Sequence, residues 1–170
     1  MNAWLQRLAA WDARLSARLR VDERPYLRRL ATVAAHFGDG PLWFLLWAAG
    51  LLWLPEPTRR PILLWVGASL AAAVVTYSIK FTLKRPRPAE VKGFYSRTYD
   101  RHAFPSGHAT RMGTLPVFGA WIFPDLAPLF WTISLACLWA RVALGIHFLA
   151  DVIVGWLIGA GVSLVVTGYW

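Results

Sequence analysis

The chain has a single cysteine, Cys137, among 170 residues, so it can form neither an internal disulfide nor a cysteine-based zinc site. Cys137 lies in an apolar run and reads as packing. Acidic residues are also scarce, nine against eighteen Lys and Arg for a net charge of +9. No group of carboxylates is dense enough to hold a pair of metal ions, and no cofactor is indicated. A continuous apolar stretch is missing at the start, where Arg7, Asp12, Arg14, Arg18 and Arg20 interrupt the sequence and exclude a secretory signal. Polar surface is in short supply as well. Hydrophobic residues make up 57% of the chain, against roughly 45–50% in soluble domains. That balance, with eleven Trp suited to interface anchoring and lipid-facing bulk, favours one membrane-embedded unit over 1–170. The positive charge alone fits nucleic acid, anionic lipid or a phosphorylated substrate. Charge does not choose among these, and the apolar content adds only the bilayer as a partner.

What is present is a series of helical patterns. Trp4, Leu8, Trp11, Leu15 and Leu19 recur at steps of four and three, with Arg7, Arg14 and Arg18 opposite. The pattern suits an amphipathic helix lying in the membrane interface, or equally one packing on the protein's own body. A break at 21–25 precedes a second short helix over 26–37, so that 1–40 forms an amphipathic N-terminal part. The transmembrane bundle follows over 41–170, with spans expected at 41–54, 61–79, 106–123, 126–146 and 148–170. Pro41 opens the first of these, and Pro124-Asp125 makes a tight hairpin. The expected fold is therefore all-α: an integral membrane helical bundle of about five transmembrane helices with an N-terminal interfacial helix.

Ionisable residues are costly inside apolar spans, so each is a functional candidate. His147 and Asp151 are four apart, which on a helix places them on one face. A carboxylate there can accept one imidazole proton and leave the other nitrogen free to react. For an isolated pair, a structural buried histidine is the commoner explanation. The run Phe104-Pro105-Ser106-Gly107-His108 stands directly before a span. Ser106 suits a helix N-cap, and Gly107 lets a ligand come close to the free N–H groups of that helix start. Capping alone accounts for Ser106, and a lone His108 would be incidental. The run from Lys80 to Arg87 resembles, taken alone, a basic flank anchoring a span to anionic lipid. Chain parity changes the balance. If 61–79 ends on one membrane face, then Lys80 to Arg87, the start of the Ser106 span and Arg141 to Asp151 all return to that face. Lys80, Arg87 and Arg141 can then surround a phosphate, with Ser106 and the Gly107 N–H adding hydrogen bonds.

Lys80 with six residues before Arg87-Pro88, then Pro105-Ser106-Gly107-His108, then Arg141 with five residues before His147 and three more before Asp151, resembles the three-part signature of the type 2 phosphatidic acid phosphatase and vanadium haloperoxidase superfamily. The resemblance implies a metal-independent membrane lipid phosphatase. His147 is its nucleophile, Asp151 orients His147, His108 protonates the leaving alkoxide, and Lys80, Arg87, Ser106, Gly107 and Arg141 bind phosphate. One position departs from the pattern: Ala140 stands where the family usually has serine before the arginine. That removes one potential hydrogen bond to phosphate and leaves the ionic groups intact. Compared with six-span bacterial members, a first transmembrane helix is replaced by the interfacial one. The apolar spans argue against the soluble haloperoxidase branch. Phosphatidic acid, phosphatidylglycerophosphate and undecaprenyl diphosphate all fit as substrates.

With five spans, Lys and Arg outside the presumed phosphate ligands number twelve on the N-terminal face against Arg59 and Arg60 on the other. The positive-inside rule then puts the site on the cytoplasmic face of a bacterial inner membrane. The alternatives are a lipid phosphotransferase, which would pass the phosphoryl group to an acceptor other than water, and a non-catalytic protein that binds anionic lipid.

Overall fold

Apolar runs punctuated by proline, glycine and short charged stretches set the element boundaries. The computed structural model describes residues 3–88 and 101–168, and among these it forms seven α-helices. They are α1 (Ala3–Arg18), α2 (Pro25–His36), α3 (Gly40–Trp53), α4 (Glu56–Leu83), α5 (Gly107–Ile122), α6 (Ala127–Ala143) and α7 (Leu149–Gly168), with a 3₁₀ turn at Pro124–Leu126 before α6. The middle of the expected polar connection, 89–100, and the end of the last expected span, 169–170, lie outside the described residues.

The five expected spans correspond to α3 through α7. Among the described residues, three stretches are long and apolar enough to cross a membrane: α4, the turn with α6 at Pro124–Ala143, and α7. With 14 and 16 residues, α3 and α5 cover only about 21 and 24 Å of a hydrocarbon core of roughly 30 Å. Helix α4 runs to 28 residues, beyond 61–79 at both ends. Pro57 falls in the first turn, where a missing N–H costs the helix little, while Pro61 lies inside the helix. Its C-terminus is set by Lys84, whose φ of 47° breaks the helical path.

Helices α5 and α7 approach backbone to backbone because the contact is lined with glycine. A β-carbon at Gly113 would stand 2.2 Å from the Trp156 carbonyl oxygen, and one at Gly159 would stand 1.9 Å from that of Thr110. Hydroxyls link α4 to α5: Thr76 meets Thr110 at 2.8 Å, and the Trp65 indole donates to Thr114 at 2.8 Å. In an apolar surrounding such bonds fix the relative height of two helices.

The aromatic residues divide differently from the sequence expectation. Trp4, Trp11 and Trp53 are exposed, but Trp43, Trp47 and Trp65 are buried with Met112 and Phe118 in the main core. Trp65 stacks on Phe118 with ring centroids 5.8 Å apart. A second cluster of small residues, Ala31, Ala34 and Ala35 of α2 against Ala140 and Ala143 of α6, explains Ala140 as a close-packing position.

Helix α1 packs on the protein's own body, through the polar side of its pattern. Its tryptophans and Leu8 face outward, while the polar Asp12 and Ser16 are buried against the start of α7. Here the polar stripe docks on the protein and leaves the apolar stripe for the surroundings.

Candidate active site

The first cationic segment begins in the last turn of α4, where Lys80 is buried one turn beyond Thr76. Past Lys84 the chain turns toward the start of α7. Arg85 donates from Nη1 to Asp151 Oδ1 and from Nη2 to Asp12 Oδ2, both at 2.7 Å, and lies over the Phe148 ring. Arg87 Nη1 reaches the carbonyl of Ile146, the residue before His147, at 3.4 Å.

The second segment behaves as its composition predicts. Ser106 is the N-cap of α5, its hydroxyl accepting from the Ala109 N–H at 3.4 Å. Its own N–H donates to the Asp151 carbonyl at 2.9 Å. A β-carbon at Gly107 would meet nothing within 4 Å, so the backbone there faces open space. In the same turn the Thr110 N–H donates to the Ser106 carbonyl at 2.9 Å.

The third segment is shaped by a helix end. Gly145, with φ at +67°, follows α6, and the Gly145 and Ile146 N–H groups donate to the carbonyls of Val142 and Arg141 at 2.9 and 3.1 Å. This pair of bonds is a Schellman closure, which stops the helix and sends the chain back over its last turn. The His147 N–H also donates to the Arg141 carbonyl, at 3.2 Å, so the cation and the imidazole are tied through the backbone.

His147 is thus in the turn before α7, not on one helical face with Asp151. Its Nδ1 lies 3.6 Å from Asp151 Oδ2, an ion-pair separation longer than a hydrogen bond. Asp151 Oδ2 instead accepts the Phe148 N–H at 2.8 Å, the reach of an N3 acid back to an N-cap amide. The next two N–H groups of α7 are met by α1: Leu149 donates to Ser16 Oγ at 2.8 Å and Ala150 to Asp12 Oδ1 at 3.1 Å. His147 and Asp151 are both buried.

His108 occupies the opposite side of the α5 start. Its Nε2 lies 2.8 Å from Asp39 Oδ1, and the other carboxylate oxygen lies 2.7 Å from His36 Nδ1. The hydrogen bond to His108 holds the Asp39 pKa down at about 2, against the opposing effect of burial. Beside His108 opens a cavity of about 530 Å³ between α3, α4 and α5, whose wall includes Phe44, Tyr77, Gly107 and Arg111. It reaches the cluster through Gly107 and His108. Arg111 donates to the Gly38 carbonyl, an interfacial charge given a partner.

The contacts therefore join segments around Arg87, Ser106, Arg141, His147 and Asp151 and set His108 at the cavity wall, with Lys80 in the adjoining turn of α4. Four participants had no signal in the motifs. Arg85 is one of several cations in a basic run, while Asp12, Ser16 and Asp39 sit far away in sequence, where residue type suggests only a surface or a cap. Among the described residues, no group of three or more His, Cys, Asp or Glu side chains is placed to hold a metal ion.

An all-helical membrane protein, with cations, a helix N-terminus and a His–Asp pair gathered at one end of its bundle, has the build of a phosphate-handling membrane protein. The chain belongs to the PAP2 superfamily, whose family model matches residues 62–170. It is 29% identical to a decaprenylphosphoryl-5-phosphoribose phosphatase of Mycobacterium tuberculosis over 85% of this chain and 81% of that one. It is also 29% identical to a lipid A 1-phosphatase of Rhizobium etli, over 96% of this chain and 79% of the relative. In fold it resembles the crystal structure of a transmembrane PAP2-type phosphatidylglycerolphosphate phosphatase from Bacillus subtilis, with a TM-score of 0.77 and 22% identity over 95% of this chain and 85% of that one. The protein is accordingly a phosphatase of this superfamily.

Proposed function

We propose that the protein hydrolyses a lipid phosphate or diphosphate through a phosphohistidine, with the lipid tail kept in the bilayer. The observation that carries this reading is the joining of the three motif segments: Ser106 to Asp151 through the backbone, Arg85 to Asp151 through an ion pair, and His147 to Arg141 through the turn. The relatives named above, all phosphatases of lipid-linked phosphates, support the substrate class.

In this scheme Lys80, Arg87 and Arg141 offset the phosphate charge, while Ser106 and the N–H of Gly107 donate to its oxygens. His147, neutral, attacks phosphorus. Asp151 lies at its Nδ1 side and stabilises the positive charge that develops on the ring, leaving Nε2 as the attacking nitrogen. His108 gives a proton to the departing alkoxide, then takes one from the water that cleaves the P–N bond. The cavity beside His108, largely apolar and next to the membrane-facing surfaces of α3 and α4, accommodates the part of the lipid near the leaving oxygen.

Phosphate release from a panel of lipid phosphates, measured with purified protein in detergent micelles, tests the proposal. Release without an added acceptor, lost in His147→Ala, is the expected result. Turnover only with an alcohol acceptor would make the protein a phosphotransferase, and binding without turnover would make it a lipid-binding protein.

A further inference from the structure

Asp39 lies outside the three motifs and outside the 62–170 region of the family match. It occupies the N-cap position of α3, yet its side chain makes no capping bond there; both oxygens go to histidines. The turn that carries it is held at three points. The Trp43 indole donates to the Phe37 carbonyl at 2.6 Å, and the Arg111 guanidinium donates to the Gly38 carbonyl. The third is steric: a β-carbon at Gly38 would come within 2.7 Å of Cδ2 of His108, so only glycine lets the imidazole lie against this backbone. Asp39, His108 and Arg111 then share the wall of one cavity.

We propose that Asp39 is the positioning residue for His108, making a second His–Asp pair that serves the leaving group as the His147–Asp151 pair serves the attack. The inference rests on the phosphohistidine reading. Asp39 occupies Nε2, so Nδ1 is the nitrogen that faces the substrate. The His147 lone pair forms the P–N bond while the P–O bond to the lipid breaks. The bonding electrons go to that oxygen, which takes the proton from Nδ1 of the His108 imidazolium. His108 is left neutral, with its Nε2–H still donated to Asp39. Around the ring stand Arg111 of its own helix, Arg141 of α6 and, on the same cavity wall, Tyr77 of α4; Cys137 of α6 lies beyond Gly38. Asp39 is the carboxylate that offsets the two arginines, and His36 holds its second oxygen in place.

A leaving-group comparison separates this role from a structural one. Purified wild type, Asp39→Asn, Asp39→Glu and His108→Ala are compared in micelles on phosphatidic acid, whose alkoxide needs a proton, and on p-nitrophenyl phosphate, whose phenolate does not. With general acid catalysis worth about 10²–10⁴-fold, Asp39→Asn should lower kcat on phosphatidic acid by about 100-fold and on p-nitrophenyl phosphate by less than about threefold. KM should stay within about twofold, and Asp39→Glu should restore part of the loss. Equal losses on both substrates, or none, would overturn the inference. His108→Ala distinguishes the two levels of failure. If it shows the selective loss and Asp39→Asn does not, only the role of Asp39 falls; if it shows no selectivity, the acid role of His108 falls and the inference with it.

Discussion

The N–H of Ser106 donates to the carbonyl of Asp151 at 2.9 Å, so the start of α5 and the start of α7 are fixed to each other through backbone alone. The contact places the Ser106–Gly107 turn beside the His–Asp pair without using either side chain. It also requires Gly155, where a β-carbon would stand 2.5 Å from the Ser106 carbonyl oxygen and 3.2 Å from its nitrogen.

Gly155→Ala should therefore force α5 and α7 apart at the site. The expected cost is about 1–3 kcal/mol, typical of overpacking, together with a clear loss of phosphate release. Gly161→Ala on the same helix, with nothing within 4 Å of the added carbon, is the matched control and should keep wild-type behaviour. Thermal unfolding and turnover in micelles check both.

The capping of α7 by α1 makes a second prediction. Ser16→Ala and Asp12→Ala each remove an acceptor from the first turn of α7 and should each cost about 1 kcal/mol. Asp12→Ala should also lower kcat more than Ser16→Ala does, because Arg85 is then left to Asp151 alone. Asp12→Asn keeps an acceptor for the Ala150 N–H but loses the charge, and should fall between wild type and Asp12→Ala in turnover. Equal kcat for all three variants and wild type would show that α1 contributes nothing to the site.

The motifs were legible because their residues are close in sequence and their roles follow from local chemistry: Ser106 caps, Gly107 leaves space, and Pro124 turns the chain. The helical class followed from apolar runs bounded by proline and charge. The expected spans end at 146 and resume at 148, which leaves His147 at the junction where the structure has it; only the four-residue spacing to Asp151 suggested a shared helical face, and the turn before α7 replaces that face. Tertiary partners left no comparable mark. Asp12 and Ser16 look like the wet side of an amphipathic helix until α7 supplies the N–H groups they bond. Trp43, Trp47 and Trp65 have the composition of interface anchors, and only the packing of α3, α4 and α5 makes them core.

Asp39 gives the pH prediction. Its pKa is about 2 in the folded protein against an ordinary 3.8, so the stabilisation from its contact with the histidines is fully present above about pH 4 and is lost as pH falls through about 2. The Tm difference between wild type and Asp39→Asn should shrink as pH falls from about 4 through about 2. A difference that instead grows across that window would contradict the depressed carboxylate.

On the proposed reading, in which Lys80, Arg87 and Arg141 meet the phosphate charge, phosphate release should persist at wild-type rate in excess chelator. Charge-neutralising substitutions such as Arg141→Gln should raise KM and lower kcat together. Loss of activity in chelator that a divalent cation restores would require a different source of charge.

The most direct test of the central claim is rapid acid-free quenching of the enzyme with ³²P-labelled lipid phosphate, followed by peptide mapping. The account predicts label on the peptide containing His147, stable to alkali, lost in acid, and absent from His147→Ala. Label on another residue, or undiminished phosphate release by His147→Ala, would contradict it.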